Sequence, residues 1–305
     1  MIQMPLMQTP VLQIEASGES CLCDFTFDFY WQHQGTRLSP DKAIGGVTLR
    51  HLVQALSKGD TVKIRGDVGS RLGSSLGVDL IRLGGRGGPI EATGKILVDG
   101  DVGSRMGISM LRGAIYVSGR VEPPLGNVAE VQTDLSGFRK FISLTEILER
   151  SIPVMKPNYL EKDVLTICDG ILRDTAGARN PAEKTIRLGQ DAGMSTGILM
   201  RSGQIDIVGD AGWNTGVLLQ GGRIVVRGKT GDFTGAEMRG GEVYVGTDAG
   251  SFACARMKGG AVYARQGKPV PPARMHQLSS TEQAKVAGAL GLSSFYAMMY
   301  RRLGL

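Results

Sequence analysis

A repeat with a period of 19 constrains this sequence more than any other feature. Each of four units opens with a glycine, and the first three carry a second glycine four positions later, where the fourth has Cys254. The opening glycines are Gly193, Gly212, Gly231 and Gly250, and the second ones are Gly197, Gly216 and Gly235. Apolar residues keep the same phase, as Ile205, Ile224, Val243 and Val262 do. A unit that returns to the same phase predicts coils stacked as a solenoid.

The first half of the chain carries the same unit in another phase. Its glycine pairs are Gly69 with Gly73 and Gly103 with Gly107. The apolar pair Val62/Ile64 leads the series, and the next pair does not begin until Ile96. We interpret this longer step as one coil plus an inserted loop around the glycine-rich stretch 84–88.

The segment that follows the glycines alternates apolar and polar residues. Gln204-Ile205-Asp206-Ile207 has the period of a strand with one buried face, and no helical period is present. The 45 glycines among 305 residues then serve tight turns and close approaches between layers. These features predict an all-β fold, a parallel β-helix with a coil period of 19 and short helical caps. The hexapeptide solenoid is disfavoured because 19 is not a multiple of six, and the G-G-x-G-x-D calcium repeat is not found.

Five segments follow from this pattern. We predict an N-terminal cap at 1–58, a first β-helix segment at 59–120, an irregular insertion at 121–185, a second β-helix segment at 186–268 and a helical tail at 269–305. The cap contains an alternating strand at 21–31 and a short helix from about Thr48 to Ser57. The tail begins with a Ser280-x-x-Gln283 capping box, and a second apolar stripe runs from Leu292 to Met299.

Side chains at equivalent positions form ladders along the solenoid. The Met/Leu column is interpreted as core packing, and the threonine column as hydroxyls bonded along the rod. The Met/Leu column contains Leu76, Met110, Met200, Leu219, Met238 and Met257, and the threonines are Thr196, Thr215 and Thr234. An acidic ladder is expected to cap its own turns. Its members are Asp67, Asp101, Asp191, Asp210 and Asp248.

A basic row follows the Met/Leu column by one residue. It consists of Arg201, Gln220, Arg239 and Lys258. Two interpretations remain open: a solvated face of the solenoid, or an electrostatic contact to an acidic partner subunit or an anionic substrate tail. Arg201, Arg239 and Lys258 are therefore candidate partner contacts.

No catalytic centre is visible in the sequence. Walker, G-x-S-x-G and H-E-x-x-H motifs do not occur, and His33, His51 and His276 lack obvious partners. The net charge of +6 comes without a basic block, so nucleic-acid binding is not expected. No charged n-region precedes Arg37 and no apolar run reaches a membrane span, so we expect a cytoplasmic protein with reduced cysteines. No catalytic, cofactor or metal residue is assigned.

The segment from the opening glycine of each unit to the position four residues later, which we call the corner, carries a family resemblance. Residues 193–197, 212–216 and 231–235 read GMSTG, GWNTG and GDFTG, and residues 238–245 read MRGGEVYV. They resemble the GXGXG domain, which forms the C-terminal right-handed β-helix of the glutamate synthase large subunit and, as a separate chain, the β-helix subunit of formylmethanofuran dehydrogenase. Residues 100–107, GDVGSRMG, resemble the repeats of that free-standing subunit.

The resemblance implies a structural subunit in one-carbon metabolism. In such complexes an amidohydrolase-like subunit and a molybdenum- or tungsten-pterin subunit carry the chemistry, and a related formyltransferase/hydrolase complex lacks the metal-dependent step. The expected partners are those catalytic subunits, and this chain is expected to bind no cofactor itself. Two alternatives remain: a subunit of a glutamate-synthase-like amidotransferase complex, or a free carbohydrate-active β-helix enzyme with clustered exposed carboxylates.

Overall fold

The computed structural model of the protein describes residues 11–16, 41, 43–44, 46–81 and 84–305. The strand predicted at 21–31 lies outside these residues, as do Cys21, Cys23 and His33. Among the cysteines within them, Cys168 is exposed, Cys254 is buried, and both are free thiols. No helix among the described residues is both long and apolar enough to cross a lipid bilayer.

The elements of the first half are short strands with two helices. In chain order they are β1 (Val11–Glu15), β2 (Ala43–Ile44), β3 (Val47–Thr48), α1 (Leu49–Ser57), β4 (Thr61–Arg65), β5 (Lys95–Asp99), β6 (Ala114–Val117), β7 (Val128–Val131), β8 (Arg139–Ser143) and α2 (Leu144–Arg150). Helix α1 confirms the short helix predicted from about Thr48 to Ser57. The Thr48 side chain caps it by accepting a hydrogen bond from the His51 N–H.

The second half continues the strands and ends in two helices and a return strand. Its elements are β9 (Tyr159–Glu161), β10 (Val164–Ile167), β11 (Thr185–Leu188), β12 (Gln204–Ile207), β13 (Arg223–Val226), β14 (Glu242–Val245), β15 (Asp248–Ala253), β16 (Ala261–Ala264), β17 (Gln266–Pro269), β18 (Arg274–Gln277), α3 (Ser280–Leu290), α4 (Ser294–Ala297) and β19 (Arg301–Gly304).

The strands stack in the register that the repeat predicts. Strand β11 pairs in parallel with β12, β12 with β13, β13 with β14, and β14 with β16. Ile205 lies between Ile186 and Ile224, which hold the same position in the preceding and the following coil. The chain is a β-solenoid of about nine turns with few helices, which confirms the predicted fold class.

The first stack begins one strand earlier than Val62. Strand β1 pairs in parallel with β4, and β5 and β6 follow in order, so Ile14 lies beside Ile64 in the first core. The long step of the first half runs from Thr61 to its partner Lys95. The inserted residues fold back along the solenoid, where the Arg179 guanidinium donates a hydrogen bond to the Gly87 carbonyl.

Residues 121–185 contain partial coils together with strands that reverse direction. Val121 still bridges Val102, and Leu125 bridges Arg173. Strand β8 pairs antiparallel with both β6 and β7, which ends the first stack. The second stack starts at β10, before residue 186, because Val164 pairs in parallel with Thr185 across a coil that is longer than the regular ones.

The Met/Leu column lies in the core as predicted, with each of its six side chains 5 % exposed or less. The threonine hydroxyls are also buried, but the prediction of bonds along the rod was wrong for Thr196 and Thr215. They donate to the carbonyls of Gly193 and Gly212, three residues earlier in the same turn. Thr234 does the same and also bonds Thr230. The threonine side chain is short, so its hydroxyl bonds the nearby carbonyl of its own tight turn and not a group of the next coil.

The acidic ladder also differs from its prediction. The Asp191 carboxylate accepts the backbone N–H of Asp210, and the Asp210 carboxylate accepts that of Lys229, in each case one coil further on. Asp67 and Asp101 bond the next coil in the same way. Asp248 differs, because it accepts the N–H of Gly250 within its own turn. Each carboxylate that bonds the next coil offsets the repulsion between stacked charges by satisfying an amide.

The tail folds back onto the solenoid. Helix α3 has its capping box one position before the predicted one, because Ser279 and Glu282 form it. Its Val286 and Leu290 cover the outer face of the second stack, where Tyr244 and Tyr263 are stacked 4.9 Å apart. Within the apolar stripe from Leu292 to Met299, Leu292 packs partly against this cluster, whereas Phe295, Met298 and Met299 are at least half exposed. Strand β19 then closes the stack by pairing antiparallel with β16.

Candidate functional site

The corner glycines take two different positions in each coil. The second glycine of a pair lies in the left-handed region, as Gly216 does at φ +69°, and a Cβ there would lie 2.9 Å from Val243 Cγ2. The opening glycine has an ordinary φ at Gly212, but a Cβ would lie 2.9 Å from the Gly193 carbonyl carbon of the preceding coil. The second position needs glycine for its backbone conformation, and the first needs it for the contact between coils.

The other predicted glycines fall into the same two groups. Those with positive φ are Gly73, Gly107, Gly197 and Gly235, whereas Gly69, Gly103, Gly193 and Gly231 are not in that region. Gly250 is an opening glycine with φ +72°, and a Cβ added there would also contact the carbonyl oxygen of Gly231. Further left-handed positions in the coils carry residues other than glycine, such as Asn214 and Leu218.

Three exposed aromatic residues project from these corners. We call Trp213, Phe233 and Phe252 the corner aromatics; their exposed fractions lie between 40 and 63 %. The rings of Phe233 and Phe252 stack with centroids 5.0 Å apart and an interplanar angle of 13°. Both residues have positive φ, and the Phe233 N–H donates to the Ser251 carbonyl of the next coil. Bulky residues are rare in this region, so coil stacking holds them there.

The basic row is aligned by hydrogen bonds between coils. The N–H of Gln220 donates to the carbonyl of Met200, that of Arg239 to Leu219, and that of Lys258 to Met238, at 2.8 to 2.9 Å. The structure therefore brings Arg201, Arg239 and Lys258 into one row, with a rise of about 4.8 Å from one coil to the next. All three side chains are exposed.

The charges of this row are not neutralised within the part of the chain that the structure describes. None of the three cations forms an ion pair with a described residue, whereas Arg256 in a neighbouring column pairs with Glu237. Arg201 also borders a cleft with Arg112 and Arg179, next to the inserted loop. The row is a surface of uncompensated positive charge on a rigid, hydrogen-bonded support.

The acidic ladder contributes hydrogen bonds between coils. The carboxylates of Asp67, Asp101, Asp191 and Asp210 each accept a backbone N–H at 2.7 to 2.9 Å, so these oxygens serve the stacking of the coils. Within the described residues, no group of three or more His, Cys, Asp and Glu side chains is placed to hold a metal ion. The cysteine of the fourth corner, Cys254, is buried, and burial raises the pKa of its thiol to about 12.

Sequence reasoning did not single out the corner aromatics or the carboxyl of Glu146. The aromatics could have been found by aligning the second and third residues of each corner, where Trp213, Phe233 and Phe252 occur in successive units. Ser143-x-x-Glu146 has the spacing of a capping box, and helix α2 begins at that point. This capping-box spacing lies within residues 121–185, the segment interpreted as an irregular insertion, and was therefore not used to predict a helix.

Comparison with known proteins finds a curated relative. It is an uncharacterized protein from Methanothermobacter thermautotrophicus, 46 % identical over 203 residues. The match covers 65 % of this chain and 66 % of the relative, so the chain spans just under two thirds of that protein's length. No protein-family profile matches the sequence, and no solved structure matches it significantly.

Proposed function

We propose that this chain is a non-catalytic structural subunit that organises catalytic subunits in a complex of the formylmethanofuran dehydrogenase type or its formyltransferase/hydrolase relative. The observation that carries the proposal is the basic row, in which Arg201, Arg239 and Lys258 are exposed on regular coils without an acidic partner among the described residues. A rigid row of uncompensated cations suits an acidic surface on a partner subunit.

Two further features support a role in assembly. The corner aromatics expose apolar rings, and aromatic residues are enriched in the cores of protein interfaces. The corner sequences resemble those of the free-standing GXGXG subunit, in which the solenoid positions other chains. In this proposal the protein is cytoplasmic, and a molybdenum or tungsten pterin, where the complex has one, belongs to a partner subunit.

We favour a structural subunit over a free carbohydrate-active enzyme. Such an enzyme needs a pair of carboxyl groups that face its substrate. In the acidic ladder, one carboxylate oxygen each of Asp67, Asp101, Asp191 and Asp210 accepts a backbone N–H of the neighbouring coil. The ladder is therefore part of the scaffold.

Affinity purification from native cells tests the proposal. The tagged full chain should recover amidohydrolase-like and formyltransferase or pterin-dependent subunits, which mass spectrometry identifies. The triple variant Arg201→Glu, Arg239→Glu and Lys258→Glu should lose most of these partners, because the contact would become repulsive. A matched triple variant, Lys58→Glu, Lys156→Glu and Arg274→Glu, changes the net charge equally at exposed positions outside the row and should keep them.

Three outcomes would overturn this proposal. Recovery of glutamate synthase or flavin subunits would assign the chain to the amidotransferase class. A stable monomer that cleaves polysaccharide would make it an enzyme. Equal recovery of partners by the wild type and by the triple variant of the basic row would show that the row is not part of the interface.

A further inference from the structure

A cleft lies between the C-terminal tail and the second stack, at the carboxyl ends of strands β13, β14 and β16. Its volume is about 230 Å³, below the range of about 300 to 1,000 Å³ that is usual for drug-sized ligands, so it suits a small molecule. One wall belongs to the solenoid and the other to the tail. The residues that carry the argument are Arg227, Gly246 and Arg265 on the solenoid wall and Leu292, Tyr296 and Met299 on the tail wall.

The two arginines of the solenoid wall flank a glycine in one column. Arg227, Gly246 and Arg265 follow one another at intervals of 19 residues, and each comes directly after a core strand. Strand β14 pairs in parallel with β13 on one side and with β16 on the other, so the arginines are two coils apart, roughly 10 Å at strand spacing. Since the middle coil has no side chain at this position, the space between the two arginines stays open.

Each guanidinium group is held in place by one hydrogen bond to the backbone. Arg265 Nε donates to the Gly246 carbonyl at 3.1 Å, and the Tyr300 hydroxyl donates to the same oxygen at 2.6 Å. Arg227 Nη1 donates to the Ala289 carbonyl at 3.0 Å, near the C-terminus of helix α3. A guanidinium group has five N–H donors, so both arginines keep several of them for a ligand.

The charges of these two arginines are accessible and are not neutralised by the described residues. Neither Arg227 nor Arg265 forms an ion pair within the described ranges, whereas Arg223 at the other end of strand β13 pairs with Glu242. Both side chains are exposed. Among the described residues that line the cleft, none is Asp or Glu. The cleft therefore carries two uncompensated positive charges, which favour an anion.

The tail wall offers apolar and aromatic surface. Tyr296 and Met299 are 59 and 51 % exposed, although each lines the cleft. The Phe295 ring meets the Tyr296 ring edge-on, with centroids 6.0 Å apart. A ligand ring beside Tyr296 would gain an aromatic contact, and the thioether of Met299 is also a favourable neighbour for a ring. The two walls together suit a molecule that joins an anionic group to an aromatic ring.

We propose that this cleft binds a small aromatic phosphate. Arg227 and Arg265 hold the phosphate oxygens through the forked N–H groups that suit this geometry. Tyr296 and Met299 contact the ring. A phosphate monoester is preferred to a carboxylate, because its charge of about −2 matches the two guanidinium groups. The proposal is independent of the partner contacts of the basic row, because none of these residues belongs to that row.

Four probes separate the contributions of ring and charge. Phenyl phosphate has both groups, inorganic phosphate lacks the ring, benzoate carries a single negative charge, and phenol carries none at neutral pH. Isothermal titration of the full chain should show phenyl phosphate binding about tenfold more tightly than inorganic phosphate, because the ring contact is gained. Benzoate should also bind about tenfold more weakly than phenyl phosphate, and phenol more weakly still.

Matched variants test the two walls separately. Arg265→Met should weaken binding of phenyl phosphate and inorganic phosphate about tenfold, because one cation is lost. Arg120→Met, at an exposed arginine of the first half outside the cleft, should change neither. Tyr296→Ala should weaken phenyl phosphate about fivefold and leave inorganic phosphate unchanged. Tyr159→Ala, at a tyrosine of similar exposure outside the cleft, should affect neither probe.

A conservative variant keeps the test valid if Arg265→Met fails to fold. Arg265→Lys retains the charge but loses the planar fork of N–H groups, so it should weaken phenyl phosphate binding about threefold. Binding in Arg265→Lys as tight as in the wild type would show that the fork of Arg265 does not hold the phosphate.

Other results would also overturn the assignment. Wild-type protein that binds none of the probes at tens of millimolar has no such site. Equal affinity for phenyl phosphate and inorganic phosphate would show that the tail wall does not contact the ring. Benzoate that binds as tightly as phenyl phosphate would identify the ligand as a carboxylate. Unchanged binding in Arg265→Met would show that the anion binds elsewhere.

Discussion

At the scale of single residues, glycine identity marks only part of the backbone pattern. The sequence located the corners because glycines recur there, and Gly216 and Gly212 have the two roles described above. It did not locate the other left-handed positions, where Asn214, Leu218 and Phe233 occur. Those conformations follow from hydrogen bonds between coils, such as that from the Asn214 N–H to the Asp232 carbonyl at 2.9 Å. Such bonds depend on a neighbour in the next coil, so no local signal indicates them.

Substitution by alanine should have opposite effects on stability at a corner glycine and at a glycine within a helix. Gly216→Ala should lower the free energy of unfolding by roughly 2 to 4 kcal/mol, because φ is +69° and the Cβ would meet Val243 in the core. Gly288→Ala, within helix α3 and with open space around its Cβ, should raise it by about 0.5 to 1 kcal/mol. Urea denaturation of both variants measures the difference. Equal effects at the two positions would contradict this explanation.

At the scale of elements, the predictable parts are those with a local pattern. The strands of the regular coils, helix α1 and helix α3 all follow from periodicity and capping residues. Strand β1, helix α2 and the return strands β8 and β19 were not predicted, because their pairing is set by distant partners. Strand β8, for example, pairs antiparallel with β6 through Phe141 and Ile115. The sequence pattern of the apolar stripe did not indicate which surface it would meet, and the structure leaves Phe295 and Met298 exposed.

The docking of α3 gives a prediction at this scale. Val286 is fully buried against the outer face of the second stack, whereas Ala284 on the same helix is exposed. Val286→Asp should detach the helix, because it buries an unpaired carboxylate beside Tyr244 and Tyr263. Limited proteolysis should then cleave between residues 279 and 300 at least tenfold faster. Ala284→Asp places the same charge on the solvent side and should leave the cleavage rate near that of the wild type.

At the scale of the whole molecule, the two stacks have separate hydrophobic cores. One contains Val62 and Phe141, and the other contains Ile142 and Ile205. Between them lies Arg173, which is 2 % exposed. Its guanidinium bonds the Val128 carbonyl at 2.9 Å and pairs with Asp169. This buried arginine therefore joins strand β7 to the start of the second stack.

Removal of that arginine should be strongly destabilising. Arg173→Met leaves the carboxyl group of Asp169, which is 13 % exposed, without its cation, and we expect a loss of about 3 kcal/mol in the free energy of unfolding at neutral pH. Arg139→Met breaks the exposed pair with Glu130 and should cost no more than about 1 kcal/mol. Urea denaturation measures both losses, and similar losses would contradict the role of Arg173.

The same pair gives a pH dependence. Burial would raise the pKa of Asp169, but Arg173 and Asn158 outweigh that effect and hold the pKa well below its usual value of 3.8. The pair therefore stabilises the fold above pH 3.8, and this contribution is lost as the pH falls below that value towards the pKa of the folded state. The difference in stability between wild type and Arg173→Met should shrink over this acid range. A difference that stays constant there would assign the effect to packing alone.

The uneven coils also bear on how the chain folds. From β11 to β14 each strand meets a neighbour one coil away with an almost identical pattern, so a stack that skips one coil makes nearly the same hydrogen bonds. Such out-of-order stacks are kinetic traps of repeat proteins. The step from Thr61 to Lys95 and the one from Val164 to Thr185 are both longer than the steps of 19 residues that join β11, β12, β13 and β14. We expect these two steps to disfavour out-of-order stacking at their own coils, because their connections differ in length from those of the regular coils.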